Sequence, residues 1–316
     1  MSFLFKDFPA DRDGFRADVL AGLAACPKSI PPKYFYDEPG CRLFESICAQ
    51  PEYTLTRTEQ ALMASRLPAI AAAIGPVDCI VEPGAGDCAK VRLLLDALRP
   101  GQLVVMDIAG APLAAAAEPL SRDYPDLAVT ALGMDFIHDL EAATPYLPAG
   151  RRLIYYPGSS IGNFPPDAAT ALLARFRQLA GAEGRLLIGF DLKKDPLLLH
   201  AAYNDAAGVT AAFNLNLLER LNRELGANFD PSRFRHYAFY NPVAGRIEMH
   251  LLSLAGQEVD VAGQRFHFAL GETLHTEHSY KFRRDEFSEI GKNAGWQLAD
   301  EWEYDGFAVQ LYGGSR

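Results

Sequence analysis

From about residue 67 onward, the apolar positions of the chain switch between two rhythms. Short runs of consecutive apolar residues are followed by segments in which apolar residues recur every third or fourth position. The first pattern reads as a buried strand and the second as a helix with one covered face. Cys79-Ile80-Val81-Glu82 is predicted as a strand, followed by a turn at Pro83-Gly84-Ala85-Gly86-Asp87 and a helix over Ala89–Leu98. Leu103–Asp107, Leu127–Leu132, Arg152–Tyr156 and Arg185–Asp191 are the next four strands, with helices over Ala114–Tyr124 and Asp167–Ala180 among them. Strands alternating with helices of this length build a parallel sheet covered on both faces. The expectation is a doubly wound α/β domain.

Near the C-terminus the rhythm changes. Asp285–Ala294 reads as a helix, and Gln297–Tyr304 and Phe307–Tyr312 as strands joined at Asp305-Gly306, a hairpin signal. Five parallel strands closed by a helix and an antiparallel hairpin are the layout of class I S-adenosylmethionine (SAM) methyltransferases; dehydrogenase-type Rossmann domains lack the reversed last strand. Two stretches fall outside the rhythm. Residues 1–62 contain the aromatic and proline-rich Ile30–Tyr36. Residues 192–284 open with helical segments over Pro196–Asp205 and Phe213–Leu225 and continue in extended runs such as Arg246–Leu254. An insertion at the carboxyl edge of such a sheet is where a substrate cap sits. The expected fold is therefore α/β: a class I SAM-methyltransferase, Rossmann-like sheet with an inserted α+β substrate-binding domain. Residues 63–191 and 285–316 are expected to form the SAM-binding domain, and 1–62 and 192–284 the substrate-binding domain.

Composition narrows the partners. Lys+Arg number 30 against 40 Asp+Glu, a formal net charge of −10, so the chain lacks the basic footprint that nucleic acid requires. No apolar run approaches the roughly 18 residues of a membrane span. The N-terminal MSFLFKDFPADRDGF is broken by Lys6 and Asp7 and carries no small-residue cleavage site, so it does not read as a signal peptide. Five cysteines without a Cys-x-x-Cys pair read as free thiols of a reducing compartment. A cytoplasmic monomer, with neither nucleic acid nor membrane as partner, is expected.

The candidate chemistry lies at the ends of the predicted strands. Gly84 and Gly86 open the first turn, where glycine lets backbone approach a ligand. This Gly-x-Gly lacks the third glycine of the dinucleotide fingerprint. Asp107 ends the next strand, about twenty residues on, where a carboxylate accepts from both ribose hydroxyls. That arrangement suits NAD and SAM alike. Asp135-Phe136, at the third strand end, adds a carboxylate for an adenine amino group and a ring to pack on it. Together with the terminal hairpin, these favour SAM. After the fourth strand, Tyr155–Pro166 (YYPGSSIGNFPP) leaves space at Gly158 and Gly162 and presents Asn163, both donor and acceptor. Asn163-Phe164-Pro165-Pro166 has the composition, in a different order, of the Asp/Asn-Pro-Pro-Tyr/Phe motif of N-methyltransferases.

Five long strings go further: PPKYFYDEPGCRLFESICAQPEYTLTRTE (Pro31–Glu59), YYPGSSIGNFPP, DLKKDPLLLHAAYNDAAGVTAAFNLNLLERLNRELGANFD (Asp191–Asp230), FYNPVAGRIEMHL (Phe239–Leu251) and LHTEHSYKF (Leu274–Phe282). From about residue 27 to its end the chain resembles the histidine-specific, SAM-dependent Nα-methyltransferases of ergothioneine biosynthesis, which make hercynine. The resemblance implies SAM as methyl donor, S-adenosylhomocysteine as product, L-histidine as substrate, and three methylations of its α-amine. It implies that Tyr53 and Asn163 hold the substrate's carboxylate and amine, and that Glu277 and Ser279 grip the imidazole. Tyr203 is implied as a further pocket tyrosine, with Tyr36, Phe44, Gly158 and Met249 as pocket wall; Tyr36 or Tyr203 relays a proton. On the cofactor side it implies Gly84, Gly86, Lys90, Asp107, Asp135, Phe136 and Tyr156. One departure stands out: His278 occupies the place where the family usually has Asn. With alternate strand residues facing the pocket, it is expected to point away.

Other readings remain. His275-x-Glu277-His278 resembles a metal-ligand string, but on a regular strand the two histidines face opposite sides, so no metal is expected. Cys79 and Cys88 flank the glycine turn as buried hydrophobes. His236, His250 and His267 show no partner spacing. Nα-methylation of another aromatic amino acid or of a histidine derivative is the alternative enzyme. A non-catalytic SAM- or amino-acid-binding module is the alternative outside enzymes.

Overall fold

The structure, a computed structural model, describes residues 2–8 and 12–314. The chain begins with β1 (Ser2–Asp7), α1 (Arg12–Ala24), β2 (Lys28–Ser29), α2 (Glu38–Cys48) and α3 (Leu55–Ile74). An alternating stretch follows: β3 (Cys79–Pro83), α4 (Arg92–Leu98), β4 (Gln102–Asp107), α5 (Gly110–Asp123), β5 (Ala128–Gly133), α6 (Phe136–Asp139), β6 (Arg152–Tyr156), α7 (Pro166–Ala180) and β7 (Arg185–Asp191). Next come α8 (Pro196–Ala202), α9 (Val209–Leu225), β8 (Phe234–Asn241), β9 (Arg246–Ser253), β10 (Gln257–Val261), β11 (Gln264–Phe268) and β12 (Thr273–Tyr280). The chain closes with α10 (Arg284–Asn293), β13 (Trp296–Tyr304) and β14 (Phe307–Gly314). Two compact units form from interleaved segments: residues 1–10, 55–193 and 281–316 in one, and 11–54 and 194–280 in the other.

The first unit is built on an eight-stranded sheet of order β1-β5-β4-β3-β6-β7-β14-β13, parallel except for β14, which is antiparallel to both neighbours. All five residues of β3 are buried, as are the middle residues of β4 and β7, because helices cover both faces of a parallel sheet. The chain steps from β3 through β4 to β5 in one direction and then returns to β6 beside β3, so the order reverses between β3 and β6. The turn joining β13 and β14 has Asp305 and Gly306 both in the left-handed region, at φ 45° and 74°, which suits the twist of a two-residue hairpin.

Two assignments of the sequence reading change here. Residues 2–7 pair in parallel with β5 and extend the large sheet, instead of joining the substrate segment. Their strand is nearly all exposed at a sheet edge, so it lacks the covered face that would have marked it as a strand. Helix α3 belongs whole to the same unit, with Leu62, Ile70 and Ile74 fully buried, so the boundary falls before Leu55 and not at 62. One continuous helix passes through Pro68 and cannot be divided between two cores.

The second unit holds a four-stranded sheet, β2-β12-β9-β8, and a separate β10–β11 hairpin. Helix α9 packs on the four-stranded sheet and on α2, and its Phe213, Asn214, Leu217, Leu218 and Leu221 are all buried. In β12 the register skips Thr276: His275 lies opposite His250, and Glu277 opposite Met249. This bulge inserts one residue and turns the alternation over. His275 and His278 therefore share a face, their rings stacked with centroids 5.4 Å apart, which corrects the expectation that they face opposite sides. His250 joins them, 5.0 Å from His275. Among the described residues, no group of three or more His, Cys, Asp or Glu is arranged to hold a metal ion. No helix among them is long and apolar enough to cross a membrane.

Burial first, then the neighbouring His250 and His278, push the His275 imidazole down to about 4; Glu248 opposes this and Arg246 adds to it. The folded chain thus binds this proton more weakly than the unfolded chain. The stability that neutral His275 contributes is complete above about pH 6.5 and declines as pH falls toward 4. Thermal denaturation across that interval should show a falling midpoint, and His275→Gln should flatten the limb. An unchanged slope in the variant would remove His275 as its source.

Candidate active site

The expected cofactor residues lie at the C-terminal ends of neighbouring parallel strands in the sheet unit. Gly84 and Gly86 turn the chain after β3 with φ of 69° and 54°, conformations that L side chains adopt only under strain. A Cβ on Gly84 would touch the Phe136 ring at 3.7 Å. Asp107, half-buried at the end of β4, accepts the Gly86 N–H through Oδ2 and the Ala109 N–H through Oδ1, both at 3.0 Å. Burial raises its pKa, while the N–H groups of Ala109, Gly86 and Ile108 pull it back. Phe136 meets Tyr156 edge to face at 6.2 Å, and Tyr156 is buried with its phenol pushed up by desolvation. Asp135 caps α6 by accepting the Ile137 N–H at 3.0 Å and pairs with His138 Nδ1 at 2.9 Å, so its carboxylate already serves two partners.

Lys90 lies in the turn before α4 rather than inside the helix, which starts at Arg92 and not at Ala89. Its Nζ pairs with Glu59 Oε2 at 2.7 Å. Glu59, 2% exposed on α3, accepts the Gly158 N–H through Oε1 at 2.8 Å. One carboxylate therefore ties the lysine to the loop after β6. That loop leaves β6 through Gly158 at φ 81° and Ser159 at φ 59°, then forms a short 3-10 turn that ends at Asn163. Asn163 is half-buried.

Below the glycine turn sits Glu82, 1% exposed, whose carboxyl is driven well above the usual carboxylate range by burial, with Lys90 opposing. Its Oε2 has no hydrogen-bond partner among the described residues. A cradle open at two glycines, a carboxylate at Asp107, a ring at Phe136 and a buried carboxyl at Glu82 together suit a nucleoside with polar substituents. They fit SAM. Cys79 and Cys88 are buried thiols beside this turn; desolvation pushes Cys79 up to about 12 and Cys88 higher. All five cysteines are free.

The expected substrate residues of the second unit also gather. Tyr53 and Tyr203, 8% and 7% exposed, meet edge to face with centroids 6.3 Å apart. Tyr36 meets Phe44 at 5.7 Å, and both rest on Phe213. Burial, followed by Tyr203, Cys48, Tyr36 and Glu277, raises the Tyr53 pKa well above 10 and keeps its phenol neutral. Glu277 lies opposite Met249 on the sheet, and Ser279 opposite Ile247, with Glu277, Ser279 and Met249 all buried. His278 takes the other face, where its ring meets His275 and Tyr280.

Four residues that hold these positions have no local signal in the sequence. Glu59 belongs to the quoted Pro31–Glu59 string, yet its partners are 31 and 99 residues away. His236, read as lacking partner spacing, bonds Tyr203 and Asn214. Asn214 in turn bonds Thr276. Such pairs become neighbours only when the strands and helices stack.

A reversed parallel sheet with these strand ends is that of a class I SAM-dependent methyltransferase. Within that class, the chain belongs to the family of histidine-specific, SAM-dependent methyltransferases, whose family model matches residues 15–313. It is 41% identical over 307 residues to the histidine N-alpha-methyltransferase of Mycolicibacterium smegmatis, covering 95% of this chain and 94% of that one. The Mycobacterium tuberculosis histidine N-alpha-methyltransferase is 41% identical over 274 residues, covering 85% and 84%. Ergothioneine biosynthesis protein 1 of Neurospora crassa is 28% identical over 88% of this chain and 32% of its own length.

A Cβ on Gly158 would stand 2.8 Å from Lys90 Nζ, in a left-handed conformation. Gly158→Ala should displace the ammonium and weaken S-adenosylhomocysteine binding about tenfold, the effect of losing one charge-assisted hydrogen bond. Calorimetric titration measures this. Unchanged affinity would take Lys90 out of the cofactor site.

Proposed function

We propose that the protein transfers methyl groups from SAM to the α-amine of L-histidine, three in succession, to give the trimethylated betaine hercynine in ergothioneine biosynthesis. It is a SAM-dependent N-methyltransferase by family, and 41% identity to a histidine N-alpha-methyltransferase over nearly the whole chain supports histidine as substrate. The observation that carries the reading is Glu277, a buried carboxylate that the β12 bulge sets opposite Met249, on the face of the strand that it shares with Ser279. Such a carboxylate accepts a ring N–H and stabilises imidazolium.

Gly84, Gly86, Asp107, Asp135, Phe136 and Tyr156 would hold the nucleoside, and Lys90 the amino-acid carboxylate. When bound, SAM supplies an electrophilic methyl carbon on a positively charged sulfur. The chain's own work is positioning, because attack on that carbon needs a neutral amine lone pair aimed along one line. Glu277 and Ser279 grip the imidazole. Tyr53, held as a neutral phenol, donates to the substrate carboxylate. Asn163 is assigned the amine, and Tyr36 or Tyr203 passes the ammonium proton toward water. Met249 and Phe44 would line the histidine pocket without polar demands, and Gly158 is assigned as wall. A grip on the ring and the carboxylate leaves the amine free to turn between successive transfers.

Mass spectrometry of reactions with SAM should show histidine carrying one, two and three added methyl groups. Methylation of a different aromatic amino acid, or of none, would overturn the assignment. Glu277→Ala should weaken histidine binding by about 1.5–3 kcal/mol, the range for hydrogen bonds to charged groups, with cofactor affinity unchanged. Equal loss of both affinities would make Glu277 structural. Asn163→Ala should abolish turnover, and normal activity would remove it from the site.

A further inference from the structure

We propose that Asn214 and His236 are positioning residues for the substrate pocket, setting Tyr203 against the strand segment that carries Glu277. The inference rests on the reading that Tyr203 and Glu277 hold histidine.

Asn214 is fully buried in the middle of α9, facing the sheet. A polar side chain there is unfavourable unless all its valences are met. They are. Nδ2 lies 3.0 Å from the His250 carbonyl and 2.9 Å from His236 Nδ1, while Oδ1 lies 2.8 Å from Thr276 Oγ1. A carbonyl only accepts, so the atom facing His250 is the amide nitrogen. His236 Nδ1 must then accept, which leaves its proton on Nε2, 2.9 Å from the Tyr203 carbonyl. Every direction in the chain follows: His236 donates to Tyr203, Asn214 donates to His236, and Thr276 donates to Asn214.

The endpoints matter. Thr276 is the extra residue of the β12 bulge, next to Glu277, and its hydroxyl also lies 3.1 Å from the carbonyl of Met249. The bulge is what aims Glu277 and Ser279 to one face and His275 and His278 to the other. Tyr203 ends α8 in a loop held to β8 by His236 and by Asn204, whose Nδ2 lies 3.2 Å from the Ala238 carbonyl. One buried network thus joins α8, β8, β9, α9 and β12, and it reaches the carbonyls of Tyr203 and Met249 and the residue before Glu277, three expected pocket residues. Networks of this kind act as a unit, so breaking either end releases the geometry at both.

The test compares full-length His236→Phe, which keeps ring volume and removes both bonds, with Thr276→Val, which removes only the hydroxyl. Each should raise the KM for histidine roughly tenfold and leave S-adenosylhomocysteine affinity within about twofold. Because the bonds form one network, the double variant should fall well short of the hundredfold product of the singles. His236→Gln, which restores a donor toward Tyr203, should recover part of the loss. Parallel weakening of histidine and S-adenosylhomocysteine would mark a merely structural role and overturn the proposal. So would a fully multiplicative double variant. If His236→Phe fails to fold, the Thr276→Val comparison decides. Glu277→Ala serves as reference: no change in its histidine KM would sink the pocket reading itself, whereas a rise there, with none in His236→Phe and Thr276→Val, would sink the positioning role alone.

Discussion

Asp191 and Lys281, 3% and 1% exposed and 3.0 Å apart, meet where the chain leaves the large sheet and where it returns to it. The Phe282 N–H donates to the Asp191 carbonyl at 3.1 Å, and the Lys193 N–H donates to the Phe282 carbonyl at 3.0 Å. These contacts bring the two ends of an 87-residue excursion, residues 194–280, to one point. The loop-closure entropy of so long an insertion grows only slowly with length, but its ends must still be fixed. A buried ion pair does this at a desolvation cost that its geometry and the adjoining backbone bonds must offset; removing one partner typically destabilises by about 3–5 kcal/mol. The sheet can host a second folding unit without fraying because the exit and return are stitched within it.

Inside the sheet unit a second constraint distributes the chemistry. Parallel strands need crossover connections, so their C-terminal ends all open on one edge, and the order reversal between β3 and β6 opens that edge into a crevice. Asp107 then has a double task. It presents a carboxylate and, by accepting the Gly86 N–H, holds the glycine turn in its left-handed course. Glu59 does the equivalent on the other side of the reversal, where one buried carboxylate restrains a lysine and a loop amide together. In both cases backbone N–H donors fix the carboxylate's orientation.

Much of the fold was legible because the strands of a parallel sheet read as uninterrupted apolar runs and their helices as one-sided ones. β6 and β7 fall on the residues expected, and β3, β4 and β5 within one residue of them. The misreadings have separate local causes. β1 is an edge strand with no covered face, so no pattern announces it. Lys90 precedes its helix because the turn runs on through Cys88, a residue at φ 56°, before helical hydrogen bonding begins. The bulge at Thr276 reversed the facing of His275, since a period-two rule breaks wherever one strand gains a residue that its neighbour lacks.

The sequence by itself determined the class of chemistry. Residue type and spacing along the strand ends, and long strings resembling one enzyme family, carried the cofactor, the substrate class and the candidate site residues, because those properties are encoded locally. Only the tertiary structure decided what holds them. Glu59 with Lys90 and Gly158, His236 with Tyr203, and Asn214 with Thr276 are pairs separated by 31 to 99 residues. A hydrogen bond depends on distance in space, and nothing in the order of residues along a chain records which distant groups will come within 3 Å.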